Sequence, residues 1–163
     1  AISLRGYKND YKFITKPIEM NKKWKEENKN ETFEMQDTDW RKKFSAVEDI
    51  LKHFQTEIHR VRFMKLKPGG GELQRHTDQV DPDMGIADGK LMRIHVPIKT
   101  NPNVEFTSWS TNGTKDVVNM SEGSCWYLDI RKPHMAINKG DDWRTHLVID
   151  VVANEQVRSL LYT

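Results

Sequence analysis

The chain has 163 residues, 36% hydrophobic and 31% charged, which suits one globular domain with a heavily charged surface. A net charge of only +2 argues against a nucleic-acid partner, which calls for clustered cations. A lone cysteine excludes an internal disulfide framework, so any metal site must draw on the six histidines and on carboxylates.

No apolar run is long enough to span a bilayer and no signal peptide is visible, so a cytoplasmic, membrane-free protein is expected. Residues 1–59 read as a helical or irregular part packed on a sheet, 60–152 as a strand-rich core and 153–163 as a tail, all in one domain. Residues 1–35 mix lysines at 8, 12, 16, 22, 23, 25 and 29 with acidic residues, the pattern of a solvated surface, the alternative being a lid over a site. Residues 38–59 read as one helix, because Phe44, Val47, Ile50, Leu51, Phe54 and Ile58 recur at three- and four-residue intervals. Asp37, Thr38 and Asp39 are its candidate N-caps.

Beyond it the period shortens to that of strands. Arg60–Lys67 alternates and stops at Pro68-Gly69-Gly70-Gly71, a strong turn. Leu91–Ile98, Val104–Trp109, Val117–Met120, Ser124–Ile130 and His146–Val152 are further short strands, rich in β-branched and aromatic residues. Asn112-Gly113, Glu122-Gly123 and Lys139-Gly140 mark turns between them. Many short strands at even spacing predict a mainly β sandwich or jelly roll with a flanking helix.

Within this frame His76 and Asp78 stand two apart. On an extended segment they share a face and can reach one metal ion. His134 follows 56 residues after Asp78 and can close a facial triangle. Two imidazoles and one carboxylate leave coordination positions open, which suits iron(II) with a cosubstrate and O2. Ten residues further, Arg144 offers a rigid fork for a carboxylate, and so an anchor for the far end of 2-oxoglutarate.

Gln74-Arg75-His76-Thr77-Asp78, Arg93-Ile94-His95-Val96-Pro97, Gly123 to Leu128, Pro133-His134 to Gly140, and Arg144 to Asp150 together resemble the aspartyl/asparaginyl β-hydroxylase family. The likeness runs in order over roughly residues 60–152. It implies a double-stranded β-helix (a cupin-like jelly roll), iron(II) and 2-oxoglutarate, consumption of O2, and release of succinate and CO2. It assigns His76, Asp78 and His134 to the metal and Arg144 to 2-oxoglutarate. Arg93 and His95 match an Arg-x-His strand lining the same cavity, as contacts to cosubstrate or substrate, or else as an ion pair and a buried histidine. His146 faces the same way as Arg144, either touching cosubstrate or filling the core. The animal enzymes of the family lack an acidic ligand. Asp78 therefore sides with the bacterial branch that includes proline cis-4-hydroxylases, and a peptidyl-aspartate substrate is put in doubt.

Other residues are assigned bland roles. His53 and His59, on or near the helix, carry no function, and Cys125, Trp126, Leu128 and Ile130 are packing residues. Asp81, Asp83 and Asp88 form an acidic loop that would favour an amine-bearing substrate. The expected activity is hydroxylation of an amino acid, free or peptidyl. The rivals are a cupin-like metal- or ligand-binding module without turnover, and a zinc hydrolase on the same ligands. Arg144 separates the first rival, since a simple binder has no use for it.

Overall fold

The computed structural model describes residues 1–78 and 90–162, so the acidic loop with Asp81, Asp83 and Asp88 lies outside the described residues. Strand β1 (Ile2–Gly6) begins the chain, with Leu4 fully buried. Helix α1 (Lys22–Glu27), capped by the Asn21 side chain, and the short strand β2 (Gln36–Asp37) follow. The N-terminal segment is therefore more than solvated surface: β1 sits between β2 and the next strand, and Arg5 reaches Asp37 at 2.8 Å.

Helix α2 spans only Ser45–Leu51, behind a 3-10 turn at Arg41–Lys43. The helix expected over 38–59 is thus shortened at both ends, and none of its expected caps serves. At the front, the Thr38 hydroxyl donates to the Ser3 carbonyl at 2.8 Å, which ties this stretch to the sheet edge. At the back, the Thr56 hydroxyl donates to the Val152 carbonyl at 2.8 Å, and Ile58 already belongs to a strand. The apolar stripe itself is real, since Phe44, Val47, Ile50, Leu51, Phe54 and Ile58 all pack into one cluster. Its recurrence simply runs on through a turn and into a strand.

The remaining strands are β3 (Ile58–Leu66), β4 (Gly71–His76), β5 (Leu91–Lys99), β6 (Val104–Trp109), β7 (Lys115–Val118), β8 (Trp126–Tyr127), β9 (His134–Asn138) and β10 (Arg144–Val152). Helix α3 (Glu155–Ser159) occupies the expected tail. The chain shuttles between two antiparallel sheets, ordered β2-β1-β3-β10-β5-β8 and β4-β9-β6-β7. β3 to β10, four in each sheet, form a double-stranded β-helix, the jelly roll expected from the strand spacing. The strand expected over Ser124–Ile130 shrinks to two paired residues, and β4 and β9 give full strands around His76 and His134, where the sequence suggested only an extended segment without a range. His59 lies in β3 rather than on the helix, buried against the Tyr7 ring at 5.8 Å, and Cys125 is exposed rather than packed.

Gly69 and Gly70 cross from one sheet to the other at φ 67° and 95°, a region that favours glycine. Their N–H groups donate to the Gly140 carbonyl at 2.9 Å and the Asn138 carbonyl at 2.7 Å.

The main core lies on the outside of the larger sheet. Leu147, Ile149 and Val151 of β10, Val61 of β3 and Met92, Ile94 and Val96 of β5 pack there against Val47, Leu51, Phe54 and Val157. Strand alternation turns the intervening residues inward. Those are Arg60 and Arg62 of β3, Arg93 and His95 of β5, and Arg144, His146, Val148 and Asp150 of β10. A smaller cluster of Leu91, Met120, Leu128 and Ile130 forms a second core, with Phe106 and Trp126 against it. The inner face of the larger sheet is therefore charged, and a cavity opens over it.

Candidate metal centre

His76 ends β4 and His134 begins β9, and the two are direct partners in the smaller sheet. Their rings lie 4.4 Å apart between centroids. Asp78 follows just beyond β4, fixed where its N–H donates to the Ile130 carbonyl at 3.0 Å. One Asp78 oxygen, Oδ1, lies 3.2 Å from His76 Nε2 and 3.9 Å from His134 Nε2. The three candidate ligand atoms all fall within 4.8 Å of one another.

The imidazoles are held in the ligating form. His76 Nδ1 lies 2.7 Å from the Gln74 carbonyl and His134 Nδ1 lies 2.8 Å from the Lys132 carbonyl. A carbonyl only accepts, so each Nδ1 carries the hydrogen and each Nε2 presents a lone pair toward the triangle. Burial also holds the His134 imidazole below its ordinary pKa, which keeps it neutral.

The carboxylate is held as firmly. Asp78 Oδ2 accepts from the Arg93 guanidinium, leaving Oδ1 for a metal. Arg93 in turn grips Asp150 with Nε at 2.7 Å and a second nitrogen at 3.1 Å. Arg60 Nε also donates to Asp150, at 3.0 Å, while Arg62 stands further off at 3.5 Å. Burial would raise the Asp150 pKa, but Arg93, Arg60 and Arg62 outweigh it and hold the carboxylate well below its ordinary range. Burial likewise opposes the charge on Arg93, yet Asp150 and Asp78 keep it protonated above its ordinary value.

Two arginines are poorly matched. Arg144 is 6% exposed, its Nε has no hydrogen-bond partner among the described residues, and burial alone lowers its pKa to about 10. Arg62 Nε is also buried and unpartnered among the described residues, and burial, with Arg60 nearby, lowers that group to about 9. Both line a cavity of about 460 Å³ together with all three metal-ligand candidates, Arg93 and His95. Phe106, Ala136 and Val148 supply its apolar wall, and Phe106 stacks on the His134 ring at 5.7 Å. Lys16 and Glu19 bring the N-terminal segment into the wall. Elsewhere in that segment the rings of Phe13, Trp24 and Phe33 cluster at 5.2 to 5.8 Å. His146 lies on the same sheet face, 3.2 Å from His95 between Nδ1 atoms.

His76, Asp78, His134, Arg93, His95 and Arg144, singled out from the sequence, thus meet around one cavity. Sequence reasoning overlooked Arg60, Arg62 and Asp150. The alternation that put His76 and Asp78 on one face would also have placed Arg60 and Arg62 together. Lys16 gave no such signal, since it stands among many surface lysines.

A metal ion fits this donor set. Two lone-pair imidazole nitrogens and one monodentate carboxylate oxygen on one side leave the other side open, an arrangement suited to iron(II). No helix among the described residues is long and apolar enough to cross a membrane.

The family model described as Aspartyl/Asparaginyl beta-hydroxylase matches residues 8–154. No curated protein sequence matches the chain significantly. Among solved structures, a cupin domain from Bordetella pertussis Tohama I is similar at 18% identity and a TM-score of 0.41, over 61% of this chain and 88% of that one. A Pseudomonas putida prolyl-4-hydroxylase is similar at 16% identity and a TM-score of 0.49, over 72% of this chain and 67% of that one.

Proposed function

The chain belongs to the aspartyl/asparaginyl β-hydroxylase family, and from that membership we propose that it is an iron(II)- and 2-oxoglutarate-dependent dioxygenase acting on an amino acid, free or within a peptide. The reaction consumes the C–H substrate, O2 and 2-oxoglutarate, and yields the alcohol, succinate and CO2.

The observation that carries this reading is Arg144. A buried guanidinium with an unpartnered Nε, in the same cavity as two histidines and an aspartate, is poised for an anionic ligand. 2-Oxoglutarate supplies a carboxylate for it at one end and chelating oxygens at the other. A binding module without turnover has no need of this second, cationic anchor.

In this reading His76, Asp78 and His134 hold the iron, and Arg144 takes the far carboxylate of 2-oxoglutarate. Bound iron supplies the activation of O2 that C–H hydroxylation requires. Arg93 fixes the Asp78 carboxylate, and Phe106 and Val148 narrow the space open to water. Arg62 supports a substrate bearing a carboxylate, as any free amino acid does, because its Nε also lacks a partner among the described residues.

The test is anaerobic addition of iron(II) and 2-oxoglutarate, with the weak metal-to-ligand charge-transfer band recorded, followed by O2 and measurement of succinate. Both signals are expected in the wild type and neither in His134→Ala. Arg144→Ala should weaken 2-oxoglutarate binding while iron binding persists. A wild-type protein giving no band and no succinate rules the reading out. The substrate then follows from a mass screen of amino acids and peptides for a gain of one oxygen.

A further inference from the structure

Arg144 and Arg62 explain how the cavity attracts an anion, but His95 and His146 pose a separate question. His95 lines the cavity, and His146 is buried beside it at 3% exposure. Their rings meet edge-on, with centroids 5.5 Å apart and planes at 82°. The two Nδ1 atoms are 3.2 Å apart, while His146 Nε2 is buried with no partner among the described residues.

Both rings are neutral. Burial, reinforced by Arg144, lowers His146 to about 3, and burial, reinforced by His146 and Arg93, holds His95 well below its ordinary value. Two neutral imidazoles in Nδ1-to-Nδ1 contact must share a single hydrogen, because two facing N–H groups or two facing lone pairs repel. If His95 donated, His146 would carry its own hydrogen on Nε2, a buried donor with nothing to receive it. If His146 donates, its Nε2 is only an idle acceptor. Orphaned buried N–H groups are the rarer and more costly of the two. The second arrangement also leaves His95 with its hydrogen on Nε2. A hydrogen there is what a carboxylate in the cavity requires, whereas a lone pair would repel it.

We propose that His146 is a positioning residue that locks His95 in the Nε2–H tautomer, so that His95 presents a hydrogen-bond donor to a carboxylate ligand in the cavity. The identity of that ligand as 2-oxoglutarate rests on the function proposed above; the tautomer does not.

The decisive measurement is a long-range 1H–15N correlation spectrum of histidine-labelled protein, taken alone and with Zn(II) and 2-oxoglutarate. The wild type should show His95 protonated on Nε2 and His146 on Nδ1. His95 protonated on Nδ1 in the wild type overturns the proposal. In His146→Leu the His95 signals should move to a mixture of tautomers, and the Kd for 2-oxoglutarate should rise roughly tenfold, the scale of one charge-assisted hydrogen bond. His146→Asn, whose amide keeps a donor near the Nδ1 position, should restore both. An Asn variant as weak as the Leu variant also overturns the proposal. Should 2-oxoglutarate fail to bind the wild type, the functional reading falls while the spectrum still decides the tautomer.

Discussion

Asp150 holds the charged interior together. It is 1% exposed and meets two nitrogens each of Arg93 and Arg60, and Arg93 continues to the Asp78 ligand. Asp150→Asn keeps the shape but removes the charge that balances these buried cations. Breaking a buried pair in this way should destabilise the fold by about 3–5 kcal/mol, read by urea unfolding. Metal affinity should fall roughly 10–100-fold, because Arg93 then aims the Asp78 carboxylate less firmly. A variant that unfolds earlier yet binds metal as the wild type does would show that Arg93 positions Asp78 without help from Asp150. At this scale the three metal-ligand candidates were legible from a two-residue spacing and a distant histidine. Asp150 was not, because a lone acid in the apolar run Leu147-Val148-Ile149-Asp150-Val151 looks like any strand residue until its three arginines are brought across from β3 and β5.

Strands and turns explain why the site is assembled from distant pieces. The turn between β9 and β10 separates His134 from Arg144 and so sets where the metal ligand stands relative to the carboxylate anchor. Asn138, fully buried, holds that turn by donating to the Leu66 carbonyl at 3.3 Å and the Asp142 carbonyl at 2.8 Å, while its own Oδ1 accepts from Asn101 at 3.0 Å. A Cβ on Gly140 would stand 2.1 Å from Asn101 Oδ1, so Gly140→Ala must push Asn101 off Asn138. We expect a loss of about 1–3 kcal/mol by thermal or urea unfolding, and weaker binding of 2-oxoglutarate as β10 shifts against β9. Unchanged stability would mean that the turn has slack to absorb the methyl group. Element boundaries were the least legible feature. α2 was overextended because turn and strand residues continued its apolar stripe. β4 and β9 could be given no range because Gly71–His76 contains only one large apolar residue and His134–Asn138 is short. What identifies those two as strands is their pairing with each other across 58 residues of chain, counted from His76 to His134, which no local pattern reports.

The whole molecule carries a pH dependence that follows from its neutral interior histidines. Burial lowers His95, His134 and His146 below the ordinary histidine value, with His146 at about 3. Below the unfolded value of about 6.5, the unfolded chain takes up protons that the folded chain refuses. Their contribution to stability is therefore complete above about pH 6.5 and is lost as pH falls toward the folded values. Each such histidine adds a slope of about 1.4 kcal/mol per pH unit within its window. Asp150 acts lower, since its depressed carboxylate contributes above about pH 3.9 and fails only in stronger acid. Urea unfolding of metal-free protein from pH 7.5 to 4.5 should show stability falling with pH, and His146→Leu should flatten the curve by about one histidine's share. A flat wild-type profile over that range would contradict neutral burial of these rings. The jelly roll was legible from strand spacing, but the sides on which apolar and charged residues gather required both sheets.

The alternation of β10 has a further meaning for how such a chain can change. Leu147, Ile149 and Val151 belong to the apolar layer, and Arg144, His146, Val148 and Asp150 to the chemical one, so adjacent codons answer to different demands. Apart from Asp150, which its arginines tie to the fold, substitutions at the even positions can retune what the cavity accepts while the apolar layer keeps the strand in place. A deletion of one residue within β10 exchanges the two layers at once, placing charge against α2 and aliphatic side chains over the metal ligands. The strand is thus open to point mutation and closed to a change of length, and new specificities on this scaffold have room to arise by the first route alone.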